Sequence, residues 1–257
     1  MSAEKERFEL EKRQNIARMG QDNELKEFSR TWQHESAKYN YVYNFSWLGR
    51  PIIQLPQDVF AMQELIWTIQ PDLIIETGIA HGGSLIFSAS MLELNAACGG
   101  PEDSEVLGID IDIRAHNREA IEAHPMFKRI SMIQGSSIAP EVIEQVRARA
   151  AGKRRVMVCL DSNHTHDHVL AELKAYAPLT SAGSYCVVFD TAIEEGPAQL
   201  FADRPWGPGN NPKTAVWEFL KTTDCFEIAQ EISNKVLITV APDGYLRCVK
   251  ECESSTS

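Results

Sequence analysis

Short apolar runs alternate along the centre of the chain with longer stretches in which apolar residues recur every three or four positions. The runs have the length of buried parallel strands, and the periodic stretches have the spacing of helices that cover a sheet. Asp58 is expected to cap the first helix. Alternating strands and helices imply a parallel sheet with right-handed crossovers, so the pattern predicts an α/β fold. Strands are predicted at 73–76, 104–110, 130–134, 154–160 and 185–189, and helices at 58–69, from 84 onward, and at 138–150, 166–177 and 214–222.

The two ends of the chain depart from this pattern. Residues 1–36 are highly charged with sparse apolar points, which predicts one or two amphipathic helices. Five aromatics within nine residues follow, and we expect most of them to pack on the domain and the rest to line its pocket. We therefore expect a helical and aromatic extension at 1–57, for oligomerisation and pocket cover, and a main domain at 58–257. The sheet is expected to close with an antiparallel hairpin built from strands at 226–228, 236–240 and 246–249.

A glycine-rich turn joins the first of the central strands to its helix. Glu76 lies at the end of the strand and Ser84 at the start of the helix. Between them, Gly78, Gly82 and Gly83 permit a sharp turn and the close approach of a ligand. The spacing is not the dinucleotide-binding G-x-G-x-x-G, but it resembles motif I of the class I methyltransferases, which bind S-adenosylmethionine (SAM). We expect these five residues to bind SAM, with a purely structural turn as the alternative.

Polar residues end the next two strands. Asp110 ends the strand after the glycine turn, where a carboxylate can accept both ribose hydroxyls of a nucleoside. Asp112 is the competing candidate and is equally suited to capping a helix; we prefer Asp110. Ser136 and Ser137 follow the third strand and are expected to border the adenine, although the acidic residue that many methyltransferases carry there is absent.

The fourth and fifth strands end at Asp161 and Asp190. Carboxyl ends of parallel strands share one edge of a sheet, so these two carboxylates are expected to hold one divalent cation such as Mg²⁺. A metal of this kind lowers the pKa of an alcohol and orients it. His164, near a helix N-terminus, is the expected base, and Asp161 is expected to contribute to both catalysis and SAM binding.

The histidine-rich run that follows Asp161 has another interpretation. His164, His166, Asp167 and His168 approach the H-x-H-x-D-H motif of zinc hydrolases but lack the spacer before the aspartate. The run also lies inside a sheet that already has a nucleotide-type turn, so a zinc hydrolase is disfavoured. His166 and His168 are expected to lie in a solvated first helical turn.

Composition narrows the classes of partner. Twenty-five Lys and Arg against 36 Asp and Glu give a net charge of −11 with no basic run, which disfavours nucleic acid. No apolar segment is long enough to span a bilayer, and the first residues lack the apolar core of a signal peptide. The six cysteines form no C-x-x-C pair. We expect a soluble cytoplasmic protein whose partner is a small molecule.

Several long motifs resemble the cephalosporin hydroxylase/rhamnosyl O-methyltransferase family. The resemblance extends from about Tyr39 to Val249 and implies a class I methyltransferase (Rossmann-like) fold, with a mostly parallel seven-stranded sheet and helices on both faces. It also implies SAM, a Mg²⁺ site and homo-oligomers built partly through the N-terminal region. The motifs that carry it are Tyr43-Asn-Phe-Ser-Trp-Leu-Gly-Arg-Pro-Ile-Ile-Gln-Leu-Pro, Leu160-Asp-Ser-Asn-His-Thr-His-Asp-His-Val, Trp206-Gly-Pro-Gly and Asn234-Lys-Val-Leu-Ile-Thr-Val-Ala-Pro-Asp-Gly-Tyr-Leu.

The chain departs from this family at the implied metal site. The resemblance implies an Asp after the fourth strand and a Glu-Asp pair after the fifth, which map to Asp161, position 189 and Asp190. Position 189 is Phe189, which cannot bind a metal. The missing ligand could be replaced by His164 or by a glutamate of the next loop, Glu194 or Glu195.

These observations predict a SAM-dependent O-methyltransferase, assisted by a divalent metal, that acts on a hydroxyl of a sugar or natural product. One alternative is a component of a β-lactam hydroxylation or methoxylation system, for which the sequence shows no haem, flavin or iron–sulfur motif. A second is a SAM-binding scaffold whose catalysis is impaired by the loss of the carboxylate at position 189.

Overall fold

The structure, a computed structural model, describes residues 2–252. None of the helices in this range has both the length and the apolar character needed to cross a bilayer. The helices are α1 (Ala3–Gln21), α2 (Asn23–Ala37), α3 (Pro56–Ile69), α4 (Gly83–Ala97), α5 (Ala115–Glu122), α6 (Pro140–Ala150), α7 (His166–Tyr176), α8 (Pro212–Phe219) and α9 (Gln230–Val236). The strands are β1 (Phe45–Trp47), β2 (Arg50–Ile52), β3 (Leu73–Thr77), β4 (Glu105–Asp110), β5 (Ile130–Gln134), β6 (Val156–Leu160), β7 (Tyr185–Val188), β8 (Phe226–Ile228) and β9 (Tyr245–Cys248).

Seven strands form one mostly parallel sheet in the order β5-β4-β3-β6-β7-β9-β8. β3 is central and pairs in parallel with β4 and β6, so that Leu73 lies opposite Glu105 on one side and Val156 on the other. The strand order reverses beside β3, which places a ligand crevice at the carboxyl ends of β3, β4 and β6. The predicted α/β class and the mostly parallel seven-stranded sheet are confirmed.

Two apolar layers cover opposite faces of the sheet. Because successive side chains of a strand point to opposite faces, Ile74 of β3 joins one layer, whereas Leu73 and Ile75 join the other. α3 and α4 cover the first layer, and α6, α7 and α8 cover the second. Full burial of one such side chain contributes about 1.5–3 kcal/mol, so the packed strands hold their carboxyl ends rigidly.

Asp58 does not cap α3, and that expectation is wrong. The helix starts two residues earlier with Leu55 as its N-cap, and Asp58 lies buried in the first turn. Its carboxylate accepts hydrogen bonds from the amide of Val240 at 2.9 Å, the hydroxyl of Tyr245 at 2.7 Å and the hydroxyl of Thr239. Burial raises the pKa of Asp58 to about 6. The carboxylate therefore ties α3 to β9 and to the segment before it.

The expected strand at 236–240 is also wrong. α9 extends to Val236, and Leu237 follows with a φ of +61° before the chain reaches β9. β9 already pairs with β7 on one side and β8 on the other, so neither edge of β9 is free for this segment. The antiparallel edge of the sheet thus consists of β8 and β9 with α9 inserted between them.

The N-terminal helices and the aromatic segment pack against the main sheet domain. α1 lies against α9, and Gln33 of α2 donates to the carbonyl of Thr239 at 3.0 Å. β1 and β2 form a hairpin on α4, where the Trp47 ring meets Phe87 edge-on at 5.0 Å and its Nε1 donates to Ser90. Tyr41, Phe45 and Trp47 therefore contribute to packing, whereas Tyr39 is 79% and Tyr43 58% exposed.

Candidate active site

The carboxyl edge of the sheet brings the predicted polar residues together. Glu76 lies within β3, Asp110 ends β4, Asp161 directly follows β6, and Asp190 lies two residues beyond β7. The amide of Asp161 donates to the carbonyl of Thr77 at 2.9 Å, which extends the β3–β6 pairing to the edge. Because these strands are hydrogen-bonded neighbours in register, the sheet itself sets the spacing of the carboxylates.

The glycine turn is shaped by close backbone contacts. Gly78 has a φ of +92°, and a Cβ added there would lie 2.0 Å from the carbonyl oxygen of Asp161. A Cβ at Gly83 would lie 2.1 Å from the carbonyl oxygen of Pro51 in β2. Gly82 packs instead against the side chain of Ile121. The space left by these glycines is therefore occupied in part by the protein's own backbone, at the carbonyl groups of Asp161 and Pro51.

The carboxylate of Asp110 holds the glycine turn from the neighbouring strand. One oxygen accepts from the amides of Ile79 at 2.8 Å and Ala80 at 3.2 Å, and the other accepts from the amide of Asp112 at 3.0 Å. The Asp112 side chain is 70% exposed and lies 3.9 Å from Arg114, away from the turn. Of the two candidates, Asp110 is the one whose carboxylate faces the crevice.

Glu76 is buried and its carboxylate accepts from the hydroxyl of Ser84. Burial raises its pKa to about 7, and the hydrogen bond from Ser84 opposes the rise. The Glu76–Ser84 hydrogen bond therefore joins the end of β3 to the start of α4.

Two cavities meet at Gly78. A cavity of about 260 Å³ lies on one side of it, and a cavity of about 180 Å³ lies on the other. Together they form a bent groove across the ends of β3, β4 and β6. The larger cavity is lined by residues that include Gly83, Ser84, Gln54, Asp161, His164 and Asp190, and the smaller by Asp110, Ile111, Ser136, Ser137, Ser162 and His168.

Asp161, His164 and Asp190 form a cluster whose nitrogen and oxygen atoms all lie within 4.8 Å of one another. His164 Nδ1 is 3.1 Å from Asp190 Oδ2, and His164 Nε2 is 3.8 Å from Asp161 Oδ1. Burial and, next, the nearby charge of Asp190 raise the pKa of Asp161 well above its ordinary value. The ring of Trp206 lies 4.8 Å from the imidazole and covers it. Two acids and an imidazole at these distances are suited to sharing one cation.

Gln54 is a member of the site that the sequence did not indicate. Its Nε2 donates to Asp161 Oδ2 at 3.0 Å, while its Oε1 is buried without a hydrogen-bond partner. The residue is 7% exposed and lines the larger cavity. It follows β2 in a segment without periodic pattern, so no sequence signal separated it from its neighbours.

His166 and His168 lie in the first turn of α7 as expected, but their side chains are only partly solvated. His166 Nδ1 lies 2.8 Å from the Thr214 hydroxyl, and His168 Nε2 lies 3.1 Å from the hydroxyl of Ser137. Their side chains are 21% and 19% exposed. The first helical turn faces α8 and the smaller cavity, and Glu172 lies within 3.6 Å of His168. His168 and Ser137 thus meet at the wall where adenine is expected.

A third cavity, of about 290 Å³, lies on the other side of Asp190. Its lining is largely apolar and combines α2 and the segment after it with the loop after β7. The predicted N-terminal extension is therefore part of the wall of this cavity. The lining includes His34, Ala37, Tyr41, Asp190, Ile193, Leu200 and Phe201.

Comparison with known proteins identifies the family. The sequence model described as Rhamnosyl O-methyltransferase/CmcI matches residues 39–249. The chain belongs to this family. The rhamnosyl O-methyltransferases of Mycobacterium tuberculosis (strain ATCC 25618 / H37Rv) and Mycobacterium leprae (strain TN) are each 32% identical to it. The first alignment covers 74% of this chain and 72% of the relative, and the second covers 62% and 66%.

Solved structures of other proteins have a fold similar to that of this chain. A structure of cmcI with Mg and SAM has a TM-score of 0.55 and 20% identity, and covers 80% of this chain and 77% of its own. An O-methyltransferase from Bacillus cereus in complex with S-adenosylhomocysteine (SAH) has a TM-score of 0.50 and 13% identity, with 80% and 82% covered. The predicted family and class I methyltransferase fold are confirmed, and with them the class of SAM-dependent O-methyltransferase.

Phe189, which stands where the resemblance implies a carboxylate, is part of the apolar core. Phe189 is 6% exposed and belongs to the apolar layer under α3 and α4. Glu195 pairs with Lys213, and Glu194 accepts hydrogen bonds from the loop before α8. Of the groups considered for the vacancy, the structure brings only His164 to the two aspartates, among the residues it describes.

Proposed function

We propose that this protein transfers the methyl group of SAM to a hydroxyl of a sugar or natural product. The observation that carries the proposal is the continuity of the site. The groove at the glycine turn reaches Asp161 and Asp190, and the apolar cavity begins on the other side of Asp190. A donor in the groove and an acceptor in the cavity would therefore meet at these two carboxylates.

The donor is proposed to span the bent groove. Asp110 and the smaller cavity suit the ribose and adenine, with Ser136 and Ser137 at the base edge. The larger cavity suits the methionine part, with Gly83 and Ser84 at its wall. Glu76, Gly78 and Gly82 support this binding by fixing the turn. The positive sulfonium would lie near Asp161, which favours its binding over that of a neutral analogue.

The acceptor is proposed to enter the cavity next to α2. Its apolar lining favours an acceptor that carries an apolar portion beside the reacting hydroxyl, because burial of that portion supplies binding free energy. Asp190 lines both this cavity and the donor groove, so the hydroxyl is expected beside it. The rest of the acceptor extends toward Phe201.

Methyl transfer needs alignment and removal of one proton. The acceptor oxygen forms a bond to the methyl carbon as the carbon–sulfur bond breaks, and SAH leaves. His164 is the proposed group to orient the acceptor or accept its proton, since it lies between the two aspartates. Asp161, Asp190 and His164 present the donor atoms that a divalent cation takes, and such a cation would lower the pKa of the acceptor hydroxyl.

The test is transfer of labelled methyl from SAM to a panel of rhamnosyl glycosides and other hydroxylated natural products. We expect label in the glycosides that carry an apolar aglycone, with SAH formed in equal amount. Asp161→Asn is expected to abolish transfer while the folded variant still binds SAH. The proposal fails if folded wild-type protein binds neither SAM nor SAH in isothermal titration.

The two-part division and the homo-oligomer are part of the same proposal. Residues 1–57 would cover the acceptor cavity and supply the surface for self-association, and residues 58–257 would carry the SAM site. Large apolar side chains are exposed on α1 and α2, which supports an interface there. They are Phe8, Leu10, Phe28 and Trp32.

A further inference from the structure

The metal site of this protein has a different donor set from the three-carboxylate site that the family resemblance implies. We propose that Asp161, His164 and Asp190 together bind a late first-row transition-metal ion, such as Co²⁺, in preference to Mg²⁺. The inference rests on the proposed function, because it concerns the cation at that same site. It assigns His164 the role of a ligand.

The distances within the cluster fit common coordination of one ion. Neighbouring ligands of an ion bound at about 2.1 Å are separated by about 3 Å. His164 Nδ1 and Asp190 Oδ2 are 3.1 Å apart, which is already this separation. Asp161 Oδ1 lies 3.8 Å from the other ring nitrogen, and one ligand atom from each of the three residues lies within 4.8 Å of the other two.

Gln54 gives an independent indication that the cluster is built for a ligand. Its Nε2 fixes Asp161 Oδ2, which leaves Oδ1 facing His164. Its own Oε1 is a buried acceptor without a donor, in a side chain that is 7% exposed and lines the cavity. Buried polar atoms are nearly always paired, so an unpaired one beside two carboxylates indicates that another group belongs there.

The chemistry of the donor set decides which ion is favoured. Mg²⁺ prefers hard oxygen ligands, whereas imidazole suits the later first-row metals. Phe189 occupies the position where the resemblance implies a third carboxylate, and it is buried in the core and cannot turn toward the site as a ligand. Replacing an oxygen by the imidazole nitrogen of His164 therefore weakens the site for Mg²⁺ more than for Co²⁺.

The test compares metal affinities of the metal-free full-length protein. We expect one Co²⁺ per chain, bound at least about tenfold more tightly than Mg²⁺ in isothermal titration. His164→Ala should weaken Co²⁺ binding by about tenfold or more and change the visible absorption of bound Co²⁺, while Mg²⁺ affinity changes by less than about threefold.

His116→Ala is the matched control, since that histidine is exposed on α5 and its loss should leave Co²⁺ binding unchanged. The inference is overturned if His164→Ala binds Co²⁺ with wild-type affinity and spectrum, or if the wild type binds Mg²⁺ as tightly as Co²⁺. Should His164→Ala not fold, His164→Gln carries the same comparison. SAH titration of the chelated wild type separates this result from the proposed function, because SAH binding without metal binding overturns only the metal assignment.

Discussion

Single carboxylates at strand ends determine how this site can hold a nucleoside. Asp110 and Asp112 are two residues apart, yet only Asp110 faces the crevice, and its oxygens also accept from the amides of the glycine turn. Asp110 also lines the smaller cavity. The choice between the two acids, which the sequence left open, thus has a clear test.

We predict that Asp110→Asn weakens SAH binding about 10- to 100-fold, because hydrogen bonds to a charged acceptor contribute about 1.5–3 kcal/mol. Asp112→Asn is the control and should bind SAH as the wild type does, since its side chain is 70% exposed. Isothermal titration measures both. A loss confined to Asp112→Asn would assign the ribose to the other acid.

Glu76 makes a second prediction at the scale of one residue. Its pKa is about 7 in the folded protein against an ordinary value of 4.5, so the folded state holds a proton that the unfolded state releases. The contribution of Glu76 to the free energy of unfolding therefore falls as pH rises from about 4.5 to about 7, by roughly 3 kcal/mol.

Glu76→Gln removes this titration. Urea unfolding at pH 5 and pH 8 should show that the wild type loses about 2.5 kcal/mol more than the variant, since part of the full change occurs below pH 5. Equal losses would mean that Glu76 is ionised in the folded protein at both pH values.

The sequence predicted the residues at the strand ends because a parallel sheet aligns its carboxyl ends whatever the details of packing. Asp161 and Asp190 meet for that reason, and His164 lies near them because it follows β6 by only a few residues. Gln54 and the partners of His168 were not predictable in this way. They reach the site through tertiary packing of distant segments, which leaves no periodic pattern in the sequence.

At the scale of elements, the β3–α4 turn depends on contact between two backbones. Gly78 has a positive φ and no space for a Cβ, whereas Gly152 has a φ of +80° and nothing within 4 Å of such an atom. Comparing the two separates the cost of backbone strain from the cost of the clash.

Gly78→Ala is predicted to destabilise the fold by several times the cost of Gly152→Ala, which should be about 1–2 kcal/mol from strain alone. It should also lower SAH affinity, because the Asp161 carbonyl must move. Urea unfolding and titration check this. Equal effects of the two substitutions would show that an alanine at position 78 does not clash with the Asp161 carbonyl.

The segment at 236–240 shows why one predicted element failed. Its β-branched run is typical of a strand, but both edges of β9 are already paired. The segment instead supplies Thr239 and Val240 to the buried Asp58 carboxylate. Strand propensity is a local property, whereas the availability of a sheet edge is decided by the whole fold, so the sequence pattern alone misassigned it.

At the scale of the whole molecule, α1 and α2 carry an exposed apolar surface, and α2 also forms a wall of the proposed acceptor cavity. Phe28 of α2 is 65% exposed, and Phe8 of α1 is 63% exposed. The fold class and the helical nature of this region followed from the sequence. The acceptor did not, because the shape of the cavity depends on how α2 meets the loop after β7.

Phe28→Glu is predicted to convert the proposed homo-oligomer into a monomer of 28.8 kDa. Gln21→Glu adds the same charge without removing apolar surface and should leave the assembly intact. Light scattering after size-exclusion chromatography reports both masses. A wild-type protein that elutes as a monomer would refute the proposed self-association.

The central claim is that a sulfonium nucleoside binds at the carboxyl edge of the sheet beside the two aspartates. The most direct measurement is a crystal structure of the protein with SAH. The account predicts the ribose at Asp110, the adenine between Ile111 and Ser137, and the sulfur on the side of the groove that faces Asp161. Electron density for SAH at another location would contradict it.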